Sequence, residues 1–197
     1  MASEPSILDK IAELQNEYYS TSGKNFIFKS KQKQDCAAMV SGTIGLEKML
    51  SNTVYVLPNT NKVYFDYTVF KLYANPSNYD SIIQTIIRTF DTCIDQYGNY
   101  ESHMNLNTFT ISALERYKPI IITFCKDFLK NNPKYIEKLA RFNIYNTPSM
   151  IDMAIHVVRP FVNESVLKKV VFISKIESEK LISELLQPSY PTLTKSI

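Results

Sequence analysis

Ala140-Arg141-Phe142-Asn143-Ile144-Tyr145, then Ser149-Met150-Ile151-Asp152-Met153-Ala154-Ile155-His156-Val157-Val158-Arg159-Pro160-Phe161-Val162, then Lys169-Val170-Val171-Phe172-Ile173-Ser174 is the stretch on which the fold turns. The outer segments are short and rich in residues that favour strands, and the middle one is long enough for three or more helical turns, so the run predicts strand, helix, strand. Met150, Ile151, Met153, Ala154, Ile155, Val157, Val158 and Phe161 make the middle segment apolar around most of its circumference, whereas a surface helix shows one stripe. Apolar matter is expected on both sides of it. Either it is a fully buried core helix, or it faces a second apolar phase.

Working outward, the same alternation repeats. Toward the C-terminus, Glu177 to Leu186 predicts a last helix. Toward the N-terminus, Pro133 to Lys138 predicts a helical turn, Ser112 to Leu129 a helix kinked at Pro119, and Ser102 to Thr110 a strand. Ser81 to Tyr97 carries Ile82, Ile83, Ile86, Ile87, Phe90 and Ile94 at helical spacing and ends at Gly98, as a core-facing helix does. Thr53 to Leu57 and Lys62 to Phe70 flank Pro58-Asn59-Thr60-Asn61 and predict a β-hairpin, with Tyr64, Phe65, Tyr67 and Phe70 alternating in its second strand. Cys36 to Leu50 predicts a helix despite Gly42 and Gly45, and Asn25 to Phe28 a brief strand. Ser6 to Tyr19 predicts a short amphipathic helix, announced by Ser3, Glu4 and Pro5. Strands alternating with helices argue for one α/β domain of 197 residues around a mixed or largely parallel sheet.

Composition removes several classes of function. The 4 glycines form neither GxGxxG nor GxxxxGK[ST], so a phosphate-cradling nucleotide loop is absent. His103 and His156 stand outside any HxH or HExxH spacing, and Cys36, Cys93 and Cys125 include no CxxC pair, so neither a metal site nor a disulfide framework is expected. Cys125 lies on an apolar helical face beside Phe124 and reads as inert packing, which leaves no nucleophile for an enzyme. The 22 basic and 19 acidic residues are spread along the chain, so nucleic acid is not an expected partner. Lys29, Lys31 and Lys33 form either a solvated loop or a contact for anionic lipid. No apolar run reaches the ~18 residues of a membrane span, and the N-terminus lacks the pattern of a secretory signal; a cytoplasmic protein is expected.

Ile136-Glu137-Lys138-Leu139-Ala140-Arg141-Phe142-Asn143-Ile144-Tyr145-Asn146-Thr147-Pro148, continued through Arg159-Pro160-Phe161-Val162 to Lys168-Lys169-Val170, resembles the C-terminal core of the CRAL-TRIO lipid-binding family, in its phosphatidylinositol-transfer branch. Met104 to Ser112 is similar to the strand and bend that precede that core, although Asn105 replaces an acidic residue and no glycine follows. The resemblance implies a sheet floor under a helical gate, enclosing a pocket for one lipid. It makes Ser149 to Val162 the gate, with Met150, Met153, Ala154, Val157, Val158 and Phe161 toward lipid or membrane. By matching of positions, Glu137 and Lys169 fall on the family's inositol-associated glutamate and its paired lysine, where the carboxylate accepts from inositol hydroxyls and holds the lysine. As lone residues they read as ordinary solvated charges, Glu137 on a helix and Lys169 at a strand start. Ser165, in the loop before Lys169, is a further candidate for the head group.

The expectation is therefore a single CRAL-TRIO-like domain over residues 1–197, with the short helix at about 6–19 standing in place of the family's helical N-terminal domain. Its expected function is to bind one phospholipid, phosphatidylinositol, and exchange it between membranes. It needs no cofactor, metal or catalysis, touches membranes transiently, and acts as a monomer. A sensor or adaptor for a phosphoinositide or another hydrophobic ligand, such as a retinoid or tocopherol, is the alternative within the fold. A filled-core α/β scaffold is the alternative outside it.

Overall fold

Ser6 opens the first helix by satisfying its unpaired amides: its Oγ accepts from the Asp9 N–H at 3.2 Å, and the Asp9 carboxylate accepts from the Ser6 N–H at 3.1 Å. In the computed structural model, which describes residues 6–25 and 27–187, this cap launches α1 (Ile7–Ser22), whose Ile11 is buried in the core. The expected start signals Ser3, Glu4 and Pro5 lie outside the described residues. Asn25 to Phe28 is not a strand over its described residues: the Asn25 carboxamide oxygen accepts from the N–H groups of Ile27 and Phe28, which folds the chain into a turn. Phe26 lies outside the described residues.

α2 (Lys29–Ile44) begins well before the expected Cys36, because Lys and Gln in the polar run are good helix formers. Gly45, at φ 93°, then breaks the expected single helix and starts α3 (Leu46–Thr53). The hairpin pairs β1 (Val54–Val56) antiparallel with β2 (Lys62–Asp66). Its second strand is shorter than expected. Asp66 accepts from the Thr68 N–H at 2.7 Å and caps α4 (Tyr67–Tyr73), so local capping overrides the strand propensity of Tyr-Thr-Val-Phe. Tyr67 and Phe70 therefore sit one helical turn apart and pack together rather than alternating along a strand.

α5 (Tyr79–Tyr97) ends at Gly98 in the left-handed region, and β3 (Tyr100–Asn105) follows. β3 stops short of Thr110 because the Asn105 side chain accepts from the Asn107 N–H at 3.0 Å and turns the chain. α6 (Ile111–Phe124) carries Pro119 and runs into a π-helical turn, Cys125–Lys130. α7 (Pro133–Lys138), β4 (Leu139–Tyr145), α8 (Ile151–Val158), α9 (Glu164–Leu167), β5 (Val170–Phe172) and α10 (Lys175–Leu186) complete the order. The expected helix from Ser149 to Val162 is split: α8 gives way to a 3-10 turn, Arg159–Phe161, at Pro160, which has no N–H to continue the ladder.

The sheet runs in the order β1-β2-β3-β4-β5, and β2 to β5 are parallel. Consecutive parallel strands that never reverse direction across the sheet send every right-handed crossover over the same face. This topology gives the sheet two unlike faces. One carries Val63, Ser102, Phe142 and Val170 in register, then Phe65, Met104, Ile144 and Phe172 in the next row. The other carries Tyr64, His103, Asn143 and Val171.

Candidate functional site

The two apolar rows form the floor of a cavity of about 240 Å³. Its walls come from the crossovers: Ile82, Ile86 and Phe90 of α5, Tyr117, Ile121 and Phe124 of α6, and the inner face of α8. Ser102 lies in the middle of the floor, and Tyr100 of the same strand also lines the cavity, its hydroxyl turned to donate to the Tyr135 carbonyl at 3.0 Å. A filled-core scaffold is incompatible with this space. An apolar cavity of that size is a site for hydrocarbon, since water would find no polar partners there.

α8 meets the cavity with Ile151, Ala154, Ile155 and Val158, the i, i+3, i+4, i+7 row of one helical face. Of the six expected gate positions, Ala154 and Val158 line the cavity and Met150, Met153, Val157 and Phe161 do not. Met153 is 50% exposed, and Phe161 packs against the neighbouring core. Ile151 and Ile155 complete the cavity row; they were visible as apolar residues, but an all-apolar helix does not reveal its rotational phase. No residue of α8 is fully buried, and its N-cap, Met150, makes no side-chain hydrogen bond. An element with so few buried contacts opens at low free energy.

Lys169 sits where β4 and β5 begin, between the cavity-lining Val166, Leu167 and Val170. Its ammonium donates to the carbonyl of Ile136 at 2.8 Å and to that of Leu139. Glu137 is exposed on α7 and makes no ion pair with Lys169 among the described residues. The lysine is thus held by backbone carbonyls at the end of α7 rather than by the expected carboxylate. Ser165 is exposed, and its Oγ donates to the Asn163 side chain at 2.8 Å within the cap of α9.

The far face of the sheet holds a buried histidine beside a tyrosine and a carboxylate. His103 is 4% exposed, with Nδ1 2.9 Å from the Tyr145 hydroxyl and Nε2 3.4 Å from the Glu101 carboxylate. Burial lowers its pKa, and Glu101 works against that shift. Cys125 lines the cavity instead, and burial pushes its thiol up to about 12. Cys125 and His103 therefore lie on opposite sides of the sheet and do not form a Cys–His pair. Among the described residues no group of three His, Cys, Asp or Glu is placed to hold a metal ion, and no helix is long and apolar enough to cross a membrane.

A family model of the CRAL/TRIO domain matches residues 67–192. The chain belongs to the CRAL/TRIO family. CRAL/TRIO domains are in general lipid-binding and non-catalytic. The crystal structure of Sfh5 is similar to this CRAL/TRIO chain at 14% identity and a TM-score of 0.49, over 85% of this chain and 65% of that one. The CRAL/TRIO chain thus spans about 65% of the length of the Sfh5 chain. No curated protein matches the sequence.

Proposed function

We propose that this CRAL/TRIO domain carries one phospholipid, phosphatidylinositol, and exchanges it between membranes in the cytoplasm without chemistry, acting as a monomer. The observation that carries the proposal is the cavity between the apolar floor and α8, with the Lys169 ammonium at its rim. A two-chain lipid brings on the order of 30 methylenes, each favouring an apolar surrounding by about 0.8 kcal/mol; the bilayer supplies that surrounding, and the protein supplies it once α8 and its neighbours move apart to widen the cavity of about 240 Å³. The tails nearly cancel, so the head group decides which lipid is held.

Lys169 uses two of its three N–H donors on backbone carbonyls, and the third is available to a phosphate oxygen. Glu137, exposed on the adjoining helix, supplies a carboxylate that inositol hydroxyls can donate to and choline cannot. Ser165 is the third head-group candidate in this reading. A charge-assisted bond of this kind contributes roughly 1.5–3 kcal/mol, enough for at least tenfold preference.

The test is transfer of labelled phosphatidylinositol and phosphatidylcholine between vesicles by wild type, Glu137→Ala and Lys169→Ala. Selective loss of phosphatidylinositol transfer is expected in both variants. Glu137→Ala is the cleaner probe, because Lys169→Ala also strips the carbonyls of Ile136 and Leu139 of a donor. Wild type that moves neither lipid, or a Glu137→Ala variant with unchanged preference, refutes the assignment.

A further inference from the structure

The turn between α1 and α2 presents two large apolar side chains to solvent in a fixed setting. Ile27 is 84% exposed and Phe28 63% exposed, and neither belongs to the packed core. Four hydrogen bonds hold the backbone around them. The Asn25 carboxamide oxygen accepts from the N–H groups of Ile27 and Phe28 at 2.9 and 2.8 Å. The Asn25 N–H donates to the Gln32 side-chain oxygen at 2.8 Å, and the Gln32 carboxamide donates to the Gly23 carbonyl at 2.6 Å. Behind the turn, Ile11 of α1 and Ala37 and Val40 of α2 anchor the two helices in the core. The bonds that set the turn thus keep the pair out of the core and leave its apolar surface in water.

Cations flank the pair. Between Glu17 and Asp35 the chain carries Lys24, Lys29, Lys31 and Lys33 and no acidic residue. All four are exposed, Lys24 before the turn and the other three on the opening residues of α2 rather than in a loop. Among the described residues no carboxylate comes within 4.0 Å of Lys24, Lys31 or Lys33. Helix stability does not account for them: the first turn of a helix favours acidic residues, α2 has none there, and its N-cap, Phe28, makes no side-chain hydrogen bond. Core packing does not account for Ile27 and Phe28 either.

We propose that Ile27 and Phe28, with Lys24, Lys29, Lys31 and Lys33 beside them, dock the protein on the anionic lipid surface of a membrane. Apolar side chains gain by leaving water for the boundary between head groups and acyl chains, and adjacent lysines meet the lipid phosphates. A turn already held in shape loses little freedom on insertion. Charge complementarity selects this occupant. A second copy of the turn would bring like charges together, and an uncharged apolar partner would leave the lysines unanswered, whereas an anionic bilayer meets both features. The segment precedes residues 67–192, which match the family model, so the docking device belongs to the N-terminal helices of this chain. Exchange of lipid between membranes requires a contact with them; this site deepens that proposed function without depending on Glu137, Lys169 or the lipid carried.

The experiment is sedimentation of the full chain with phosphatidylcholine vesicles, with and without phosphatidylserine. Wild type is expected to bind the phosphatidylserine vesicles, less as ionic strength rises. Ile27→Ser combined with Phe28→Ser should weaken this binding about tenfold or more. Lys24→Gln, Lys31→Gln and Lys33→Gln together should weaken it about a hundredfold, at roughly fivefold for each lysine. Ile176→Ser, at a side chain 92% exposed on α10, is the control and should bind as wild type does. The chain has no tryptophan, so Phe28→Trp places a single reporter at the tip. The fluorescence of that variant should shift to the blue on phosphatidylserine vesicles and be quenched by lipids brominated in the acyl chain. No vesicle binding by wild type, binding to both kinds of vesicle alike, or equal binding by wild type and the Ile27→Ser, Phe28→Ser variant overturns the proposal. So does equal loss in the Ile176→Ser control, or Phe28→Trp fluorescence unmoved by vesicles that bind the protein. Self-association of wild type that the Ile27→Ser, Phe28→Ser variant loses, without vesicle binding, makes a second copy the occupant and also overturns it. Vesicle binding that needs the tip, in a protein that transfers no phosphatidylinositol, would refute lipid exchange and leave the docking site standing.

Discussion

Filling the cavity should stabilise the protein and abolish its loading, and these opposite signs separate a ligand chamber from an ordinary core. At about 24 cal/mol per Å³ of void, a cavity of about 240 Å³ represents about 6 kcal/mol of packing that the empty protein forgoes. Ser102 on the floor and Ala154 on the roof both line this space. Ala154→Leu adds three carbons to the cavity, and at about 0.8 kcal/mol per buried methylene the gain is about 2 kcal/mol. Ser102→Leu gives a similar gain and removes a hydroxyl from the floor. For a chain of this length, about 2 kcal/mol corresponds to roughly 4–8 °C in melting temperature. The assay is calorimetry of the delipidated variants beside mass spectrometry of lipid taken up from vesicles. A fall in stability of about 1–3 kcal/mol, which overpacking of a close-packed core produces, would refute the argument. So would full lipid uptake by the double variant.

Three more outcomes follow from particular groups. His103 has its pKa lowered from the ordinary 6.5, chiefly by burial, so the unfolded chain binds its proton more readily than the folded one. Its contribution to stability is full above that ordinary value and is lost as pH falls through the lowered one. Urea midpoints at about pH 7.5 and about pH 5.5 should therefore differ less in His103→Gln than in wild type, and an unchanged difference would place the dependence elsewhere. Gly45→Ala should destabilise the α2–α3 junction by about 1–3 kcal/mol through backbone strain alone, because at φ 93° the added Cβ meets nothing within 4 Å; a neutral effect in denaturation would contradict this. Burial raises all three thiols, Cys93 to about 11 and Cys125 to about 12, so thiol reagents should label the protein only at the rate at which it opens. Rapid labelling of the native state would expose an error in that account.

Residues close in sequence determined much of this protein. The apolar period of Ser81 to Tyr97, the stop at Gly98, the turn chemistry between Leu57 and Lys62, and the strand-helix-strand rhythm from β4 to β5 were enough for the α/β class and the family. Such signals are local, because a helix face or a turn is decided by neighbours within a few residues. Where the sequence reading failed locally, a side chain had captured a backbone amide: Asn25, Asp66 and Asn105 each ended or forestalled a strand that composition favoured.

What required the tertiary structure was anything involving two distant segments. Only the register of three strands put Ser102 between Val63 and Phe142, and only the packing of α8 chose Ile151, Ala154, Ile155 and Val158 for the cavity and left Met153 outside. Position matching gave Lys169 the Glu137 carboxylate as its partner, whereas the fold gives it the carbonyls of Ile136 and Leu139. Periodicity says which residues turn inward, but the free energy of a charge depends on its neighbours in space, and those are set when the helices close over the sheet.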